Sequence, residues 1–321
     1  MKKFASLLIL LALCFSLAAC GEPDTPPETP GFEVSLDLTE EWGRVSQTAL
    51  VQGCVIVNAA FAEAHPNEMA SFLSNYKASI EYIANPDNLD SAASMVAAAT
   101  ILPNAAIAKQ AIPRSNIAYM DGSQMKSAAQ GFYTALGITS PADGFYYTPT
   151  GNASLADDTS IRIGYFAGTT GVGMAKMISD ADPRYTFTKY NSPQEIMVAM
   201  RQGNLEIAAL PTNAAPNLYD SGTHQLLAIN TLGVLHVVTN GVEISSLSDL
   251  AGKKIYVPEM APKLVVEYIL SQAGVEAEIV MEYDLDTLPP AIAQGVVQIA
   301  VLPEPKVTVA SNLYLQAQNA E

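Results

Sequence analysis

Apolar residues recur along the chain at two spacings, one typical of helices and one typical of strands. Between residues 61 and 83 they recur every three to four positions, which predicts a long amphipathic helix that Pro66 interrupts near its start. Residues 50–57 form a continuous, β-branched run, as expected of a strand buried on both faces. Residues 89–138 predict three short helices, and residues 140–160 form a break rich in Gly, Pro and Ser.

Beyond this break, short apolar runs alternate with helical patterns. Such βαβ alternation is typical of parallel sheets and predicts an α/β fold. Beyond the break the strands are predicted at residues 161–166, 185–190, 205–210, 226–238, 253–257, 278–283 and 297–302, and a further strand is predicted before it at residues 32–38.

Two of these α/β units repeat at an offset of 92 residues. Residues 199–211 read AMRQGNLEIAALP, and residues 291–303 read AIAQGVVQIAVLP. The same offset carries Ile163 onto Ile255. In both copies a buried strand ends in Leu-Pro before a helix starts. Because ligands of open α/β sheets bind beyond the carboxyl ends of the strands, the repeat predicts two similar lobes that face each other across a ligand cleft.

The first twenty residues have the layout of a secretory signal. Lys2 and Lys3 precede a short apolar run that ends in Leu17-Ala18-Ala19-Cys20. The run is too short to span a bilayer comfortably. A cysteine at this position resembles a bacterial lipobox, in which the thiol is acylated; the alternative is an ordinary signal peptide with a chance cysteine. We therefore predict a signal over residues 1–20, lipidation of Cys20, and a Pro-rich tether over residues 21–31 that anchors the protein to the membrane.

Composition narrows the classes of partner. About 300 mature residues are enough for two lobes with sizeable cores. The formal net charge of the whole chain is −16, without a basic stripe, which argues against nucleic acid. Of the three cysteines, Cys14 leaves with the signal and Cys20 would be acylated, so no disulfide framework is expected. Cys54 lies in an apolar run and is predicted to be a small core residue.

Two matched loops carry the candidate ligand contacts. Residues 168–173 (GTTGVG) follow a strand and open a helix, where glycines let the backbone approach a ligand. Their spacing fits neither a dinucleotide fingerprint nor a P-loop, and a plain tight turn is the alternative. Residues 258–262 (PEMAP) occupy the corresponding place in the second unit. The two loops are therefore expected to face each other.

The two Leu-Pro strand ends form a second matched pair. In Pro211-Thr212-Asn213, a polar side chain either caps the next helix or holds a ligand. In Pro303-Glu304-Pro305, the Glu304 carboxylate is expected to accept a hydrogen bond from a donor group of the ligand. An acid/base pair of Glu304 with Glu259 lacks a nucleophile or a metal beside it. Trp42 is either a core residue or an aromatic wall of the cleft.

Catalytic chemistry is not indicated by the sequence. His65, His224 and His236 lie apart and show no ligand spacing typical of a metal site. A G-x-S-x-G elbow does not occur. We therefore predict no catalytic residue, no metal and no cofactor, and a protein that is not an enzyme.

The chain resembles solute-binding proteins of ABC importers, in the branch that includes sulfonate-, taurine- and thiamine-precursor-binding proteins. Residues 161–321 resemble the beginning and middle of that family, in the runs IRIGYFAGTTGVGMAKM, EIMVAMRQGNLEIAALPTNAA, SLSDLAGKKIYV and QIAVLPEP. Residues 32–147 resemble its remainder, in LDLTEEW and ILPNAAIAKQAIP. The order of the two parts is exchanged, so the chain resembles a circular permutant whose old ends are joined through residues 148–160, whether by nature or by design.

The resemblance implies a two-lobed fold of the periplasmic-binding-protein type II, with a hinge. One lobe is expected over residues 75–231, including the polar linker 148–160, and the other over residues 32–74 and 232–321 together. The long strands at residues 226–238 and 50–57 are the expected hinge crossings. A hinge motion then closes the lobes on the ligand.

The implied function is capture of a small polar solute outside the cytoplasm, by a monomer anchored to the membrane, and its delivery to an ABC permease with its ATPase. The solute classes expected are a sulfonate, an amino-sulfonate or a pyrimidine-type heterocycle. A sensory module that binds a solute is the alternative, and an enzyme on the same scaffold is a further one. The predicted ligand contacts are Trp42, Gly53, Gly168, Thr169, Thr170, Gly171, Thr212, Asn213, Asn230, Glu259, Met260 and Glu304.

Overall fold

The computed structural model describes residues 31–219, 222–258 and 261–320. The predicted lipidation site Cys20 and the predicted ligand contacts Glu259 and Met260 lie outside these residues. Within them the chain is a mixed α/β protein with two sheets. No helix in these three ranges combines the length and the apolar character that a bilayer crossing requires.

Eleven strands occur in the described residues, and they fall into two sheets. The six-stranded sheet has the order β3-β7-β2-β6-β4-β5, and the five-stranded sheet has the order β1-β8-β11-β9-β10. In chain order the strands are β1 (Phe32–Asp37), β2 (Gly53–Asn58), β3 (Ile117–Met120), β4 (Ile161–Phe166), β5 (Tyr185–Tyr190), β6 (Ile207–Pro211), β7 (His224–Thr231), β8 (Leu235–Asn240), β9 (Lys254–Tyr256), β10 (Glu278–Val280) and β11 (Ile299–Pro303).

Twelve α-helices accompany the strands in the same part of the chain. They are α1 (Leu38–Val45), α2 (Ala59–Ala64), α3 (Pro66–Ala84), α4 (Leu89–Ala98), α5 (Ala105–Ala111), α6 (Gly122–Ala135), α7 (Thr169–Val172), α8 (Ala175–Asp180), α9 (Pro193–Arg201), α10 (Ala261–Ala273), α11 (Leu288–Ala293) and α12 (Lys306–Gln318).

Local sequence signals explain where several helices begin. The side chain of Asp37 accepts from the Thr39 N–H at 2.7 Å and caps α1. Ser192 caps α9 in the same way, with proline as the first helical residue. Pro66 is likewise the first residue of α3, so the predicted interruption is a junction between two helices.

The 92-residue repeat is present in the strand pairing. In the six-stranded sheet Gly164 is opposite Ala208, and in the five-stranded sheet Tyr256 is opposite Ala300. The next strand outward repeats the relation, since Ile163 pairs with Phe187 and Ile255 pairs with Ile279. All four pairings are parallel. Ile163 and Ile255 lie in different sheets, which confirms the prediction of two separate α/β units.

Other parts of both sheets are antiparallel, which the βαβ alternation alone did not predict. Strand β2 pairs antiparallel with both β6 and β7. Strand β8 pairs antiparallel with both β1 and β11. Each sheet is therefore mixed, with its parallel strands on one side.

We call residues 53–231 the first lobe and residues 32–45 with 235–320 the second lobe, because these groups contain the strands of the six-stranded and five-stranded sheets respectively. The predicted boundary after residue 74 is wrong on this point. Strand β2 lies in the middle of the first lobe, and α3 packs through Phe72 and Tyr76 into the core of that lobe. The other predicted boundary, after residue 231, coincides with the end of β7.

Two further predictions are corrected. Residues 89–138 were expected to be helical throughout, but Ile117–Met120 forms β3 at the edge of the six-stranded sheet. Short edge strands carry little periodicity, so Pro113 and Gly122 left only a gap between helices in the pattern. The single strand expected over residues 226–238 is two strands, which belong to different sheets.

Candidate functional site

The candidate site lies where the chain passes between the lobes, through residues 46–52 and 232–234. Here the two crossings are bonded to each other. The Gln52 N–H donates to the Thr231 carbonyl at 3.0 Å, and the Gln52 side-chain oxygen accepts from the Val234 N–H at 2.6 Å. This pairing fixes the start of β2 beside the end of β7.

Gly53, the first residue of β2, is the centre of the polar cluster on the first lobe. A Cβ atom at this position would lie 2.7 Å from Thr231 Oγ1 and 2.8 Å from Thr170 Cγ2, and it would also meet Asn230 Oδ1. Any larger residue must therefore displace these side chains. The lack of a side chain at Gly53 lets residues from β7 and from α7 approach one backbone atom.

Asn230 holds this cluster together. Its Nδ2 donates to the Tyr76 hydroxyl at 2.9 Å and to the Thr170 carbonyl at 3.0 Å, and its Oδ1 accepts from the Thr231 hydroxyl at 2.9 Å. Burial raises the pKa of Tyr76 far above its usual value, so this hydroxyl is neutral. Asn230 was predicted as a ligand contact, and the structure shows its amide engaged in positioning Thr170.

Two hydroxyls of the cluster have no hydrogen-bond partner among the described residues. Thr170 Oγ1 and Thr212 Oγ1 are both buried. Thr212 faces the thiol of Cys54, a weak hydrogen-bonding group that makes no aligned bond to it. Buried polar atoms in native proteins nearly always have partners, so both hydroxyls are free to form a hydrogen bond with a group outside the described residues.

Asn213 adds an amide at the same strand end. It is half-buried, and no other group in the described ranges forms a hydrogen bond with its side chain. Asn213 and Thr212 both belong to the short 3₁₀ helix Thr212–Leu218 that follows β6. The neighbouring Tyr133 hydroxyl donates to the Thr212 carbonyl at 3.1 Å, which fixes the turn.

The glycine-rich loop after β4 contains glycines that the backbone requires and two buried threonines. Gly168 has φ of +126°, which only glycine adopts without strain, and it precedes α7. A Cβ on Gly171 would lie 2.8 Å from the Phe166 carbonyl oxygen, so this glycine serves packing. Thr169 is buried beside Thr170 at the start of α7. Of the four predicted contacts in this loop, Thr170 is the one joined to the Gly53 cluster.

Cys54 is confirmed as a core residue. It is fully buried, and burial raises the pKa of its thiol to about 12, with the nearby Thr212 hydroxyl opposing the rise. The thiol is therefore protonated and unreactive at neutral pH.

Glu304 has an intramolecular partner that the sequence did not reveal. Its Oε1 lies 2.7 Å from Arg114 Nε, in an ion pair whose N–H is not aligned on the oxygen. Its Oε2 accepts from the Thr308 hydroxyl at 2.9 Å. Burial raises the pKa of Glu304, while Arg114 and the bonds from Thr308 lower it. The carboxylate predicted to receive a ligand donor is thus engaged by the protein itself.

Trp42 is a core residue and not a wall of the cleft. It is 1% exposed, and its indole Nε1 donates to the Thr48 carbonyl at 2.7 Å. Its ring lies 4.7 Å from the Tyr268 ring of the second lobe and 6.1 Å from the Phe132 ring of the first. The prediction that Trp42 contacts a ligand is therefore corrected, because the side chain is almost completely buried in protein.

The histidines remain apart, and in the described ranges no group of three or more His, Cys, Asp or Glu residues is placed to hold a metal ion. His236 on β8 is buried, and its two ring nitrogens lack hydrogen bonds there. Burial lowers its pKa, with Asp37 opposing the shift and Arg114 adding to it. His236 is therefore neutral at neutral pH.

Several residues at or near the site were not predicted from the sequence. The pattern placed Gln52 in a predicted strand and Tyr76 in a predicted helix. It placed Arg114 in a region predicted to be helical. None of the three segments carries a motif that indicates a binding site. Arg114 contacts Thr308, 194 residues further along the chain, and no motif links the two. The Gly in the apolar run 50–57 was the one available signal, because a glycine inside a strand marks a close approach.

Comparisons with known proteins give partial likenesses. No family model matches the chain. It is 30% identical over 146 residues to proteins of Brucella abortus (strain 2308) and Brucella suis biovar 1 (strain 1330), which carry the provisional name of a binding protein. The match covers 42% of this chain and 44% of each relative, so the chain spans less than half the length of the relatives it matches.

Two solved structures are similar to about half of the chain at a low score. An ABC transporter structure from Parabacteroides distasonis is 18% identical, with a TM-score of 0.39, and the match covers 48% of this chain and 56% of that one. The periplasmic aliphatic sulphonate binding protein of Escherichia coli is 18% identical, with a TM-score of 0.37 and coverage of 49% and 54%. Scores of this size do not establish a common fold.

Proposed function

We propose that this protein binds a small polar solute between its two lobes, outside the cytoplasm, and delivers it to an ABC importer. One observation carries the proposal. Thr170 and Thr212 lie in the short helices that follow two neighbouring strands of the first lobe, and their buried hydroxyls lack partners in the described part of the chain. The ends of such strands are where α/β proteins bind ligands. The provisional name of the Brucella relatives is consistent with this role.

The solute we propose is uncharged or zwitterionic at the end that the first lobe holds. The groups offered there are hydroxyls and the Asn213 amide, which donate and accept hydrogen bonds without a full charge. The arginine that reaches the crossing, Arg114, already neutralises Glu304. A bidentate clamp on a strongly charged anion is therefore not supported at this cluster. A pyrimidine-type heterocycle or an amino-sulfonate fits these groups better than a simple sulfonate.

Native mass spectrometry of the protein purified from its own cells tests the proposal. The wild type is expected to carry a small-molecule adduct. Thr170→Val keeps the shape of the side chain and removes its hydroxyl, so it should weaken binding about 2- to 10-fold, the effect of one neutral hydrogen bond. Thr170→Val combined with Asn213→Ala should remove the adduct.

Arg162→Gln is the matched control for this experiment. Arg162 lies on β4, is half-exposed and pairs with Glu206. It makes no contact with the Gly53 cluster among the described hydrogen bonds and ion pairs, so the adduct should persist in this variant. An adduct that survives the double substitution unchanged would place the solute elsewhere.

We further propose that the protein is a lipoprotein anchored through Cys20, with permease and ATPase as its membrane partners. The support is the Leu17-Ala18-Ala19-Cys20 sequence and the Pro-rich stretch after it. Cys20→Ala should move the protein from the membrane fraction to the soluble fraction. Retention of an acylated, membrane-bound variant would contradict the assignment.

We also propose that the order of the two parts is circularly permuted. Three observations support this. The ring of Phe32, near the first described residue, stacks on Tyr314 near the last at 5.9 Å between centroids, so the ends of the fold lie together. The segment expected to join the old ends, residues 148–160, packs against α3. There the Asn152 N–H donates to Asn67 Oδ1 at 2.9 Å, and the Asp157 N–H donates to Glu68 Oε1 at 3.1 Å. A comparison that keeps the chain order follows a permuted chain over one part alone, and a match over 42% of the chain agrees with the proposal.

A further inference from the structure

We propose that Arg114, Glu304 and Thr308 form a clasp that holds the two lobes together without a solute. Arg114 belongs to the first lobe, in the turn Ile112–Arg114 between α5 and β3. Glu304 and Thr308 belong to the second lobe, at the end of β11 and in α12. The clasp is therefore a connection between the lobes that the polypeptide backbone does not supply.

The three side chains form a closed ring of contacts. Arg114 Nε lies 2.7 Å from Glu304 Oε1, and Arg114 Nη2 donates to Thr308 Oγ1 at 2.7 Å. The Thr308 hydroxyl in turn donates to Glu304 Oε2 at 2.9 Å, and the Thr308 N–H reaches the same oxygen at 3.3 Å. Each group restrains the others, because the planar guanidinium forms an ion pair with Glu304 and a hydrogen bond to Thr308 at the same time.

The clasp is joined to the crossing between the lobes on both sides. The Asn116 carbonyl, two residues after Arg114, accepts from the Leu232 N–H at 3.0 Å, and the Asn116 amide donates to the Gly233 carbonyl at 2.5 Å. The Glu304 N–H donates to the Val234 carbonyl at 2.9 Å. The Arg114–Glu304 pair is therefore linked by hydrogen bonds to residues 232–234, where the chain passes between the lobes.

Because Glu304 is buried, its ion pair with Arg114 favours the arrangement in which the two lobes are in contact. The Glu304 side chain is fully buried, and the Arg114 side chain is 42% exposed. A buried carboxylate that loses its cation carries an uncompensated charge, which strongly disfavours the arrangement that keeps it buried. Opening of the lobes would hydrate the carboxylate, so loss of Arg114 favours the open arrangement. The half-exposed guanidinium is partly screened by solvent, which limits the size of the effect.

This inference concerns the arrangement of the lobes and does not require the proposed function. If the protein does bind a solute, the clasp raises the fraction of molecules that are ready to bind it, and the apparent affinity rises in proportion. Failure of the solute experiment would leave the clasp untouched, and failure of the clasp would leave the solute site untouched.

Small-angle X-ray scattering and hydrogen exchange of the full chain test the clasp. Arg114→Gln should give a larger radius of gyration than the wild type. Exchange at the Leu232 and Glu304 amides, which donate at the crossing, should become at least about tenfold faster, equivalent to about 1.4 kcal/mol. Glu304→Gln should show a smaller change of the same sign, because no charge is left buried.

Arg162→Gln is the matched control, since Arg162 is also half-exposed and ion-paired, but with Glu206 of the same lobe. It should match the wild type in both measurements. Equal scattering and equal exchange in Arg114→Gln and Arg162→Gln would overturn the proposal. If Arg114→Gln does not fold, Arg114→Lys is judged by the same two criteria, since a lysine cannot contact Glu304 and Thr308 through a planar fork.

Discussion

Thr212 and Glu304 are equivalent positions of the repeat, 92 residues apart, and the two lobes use them differently. Each follows a buried strand that ends in Leu-Pro. In the first lobe the Thr212 hydroxyl is left without a partner in the described residues, whereas in the second lobe Glu304 is tied to Arg114 and Thr308. A repeated strand framework thus fixes where a side chain stands, while the residues around it determine which contacts that side chain makes.

The lobes also differ in how the chain builds them. The first is one run, residues 53–231, and the second consists of two pieces, residues 32–45 and 235–320. The second lobe therefore depends on contacts between segments far apart in sequence. One of these, between α1 and α10, places Trp42 between the lobes.

The largest expected effect comes from Trp42→Ala. Trp42 belongs to the second lobe and touches Phe132 of the first, so its removal tests whether the lobes share a core. We expect a loss of about 3–5 kcal/mol in the free energy of unfolding, as for other fully buried large aromatics. Urea denaturation measures it. Trp42→Phe should lose less, because a ring remains. A stable Trp42→Ala variant would restore the interpretation of Trp42 as a cleft wall.

Gly53→Ala should have the next largest effect and acts on the first lobe alone. The new methyl group would press on Thr170 and Thr231 and displace Asn230. We expect a loss of about 1–3 kcal/mol, the usual cost of overpacking, together with loss of the solute adduct. Denaturation and native mass spectrometry check the two parts. Full stability with the adduct retained would show that the cluster is not packed around this glycine.

Gly43→Ala is the matched glycine substitution in the second lobe and should act in the opposite direction. Gly43 lies inside α1, is exposed, and has no heavy atom within 4 Å of a Cβ placed on it. Alanine favours the helix, so we expect a gain of about 0.5–1 kcal/mol in the free energy of unfolding. A destabilised variant would mean that α1 packs more closely than described.

The smallest expected effect is on pH dependence. Burial raises the pKa of Glu304, so the folded protein binds its proton at a pH where the unfolded chain has released it. The contribution to stability is present below the unfolded value and is lost as the pH rises through the folded one. Relative to Glu304→Gln, the wild type should therefore become less stable as the pH rises above about 4.5. A difference between the two that is constant with pH would contradict this assignment.

The sequence predicted the strand framework better than the polar contacts. The repeat located β4, β6, β9 and β11, because apolar strands and Leu-Pro ends are local signals. The short edge strand β3 gave no such signal. The assignment of β2 to the wrong lobe followed from the resemblance and not from a pattern, since a buried strand reads the same in either sheet.

The candidate site was predictable in part for the same reason. Thr170 and Thr212 stand at strand ends, which the repeat marks. Arg114 reaches Glu304 through tertiary structure alone, and the burial of Trp42 depends on rings from both lobes. Neither relation has a signature in the neighbouring residues, so both required the structure.

The central claim is that the two equivalent strand ends have different roles. Hydrogen exchange with and without the solute recovered from the purified protein tests it most directly. We expect new protection in the segments that contain Gly53, Thr170 and Thr212, and little change around Glu304, whose amide is already bonded to Val234. Protection around Glu304 with an unchanged Thr212 segment would show that the two strand ends do not differ in this way.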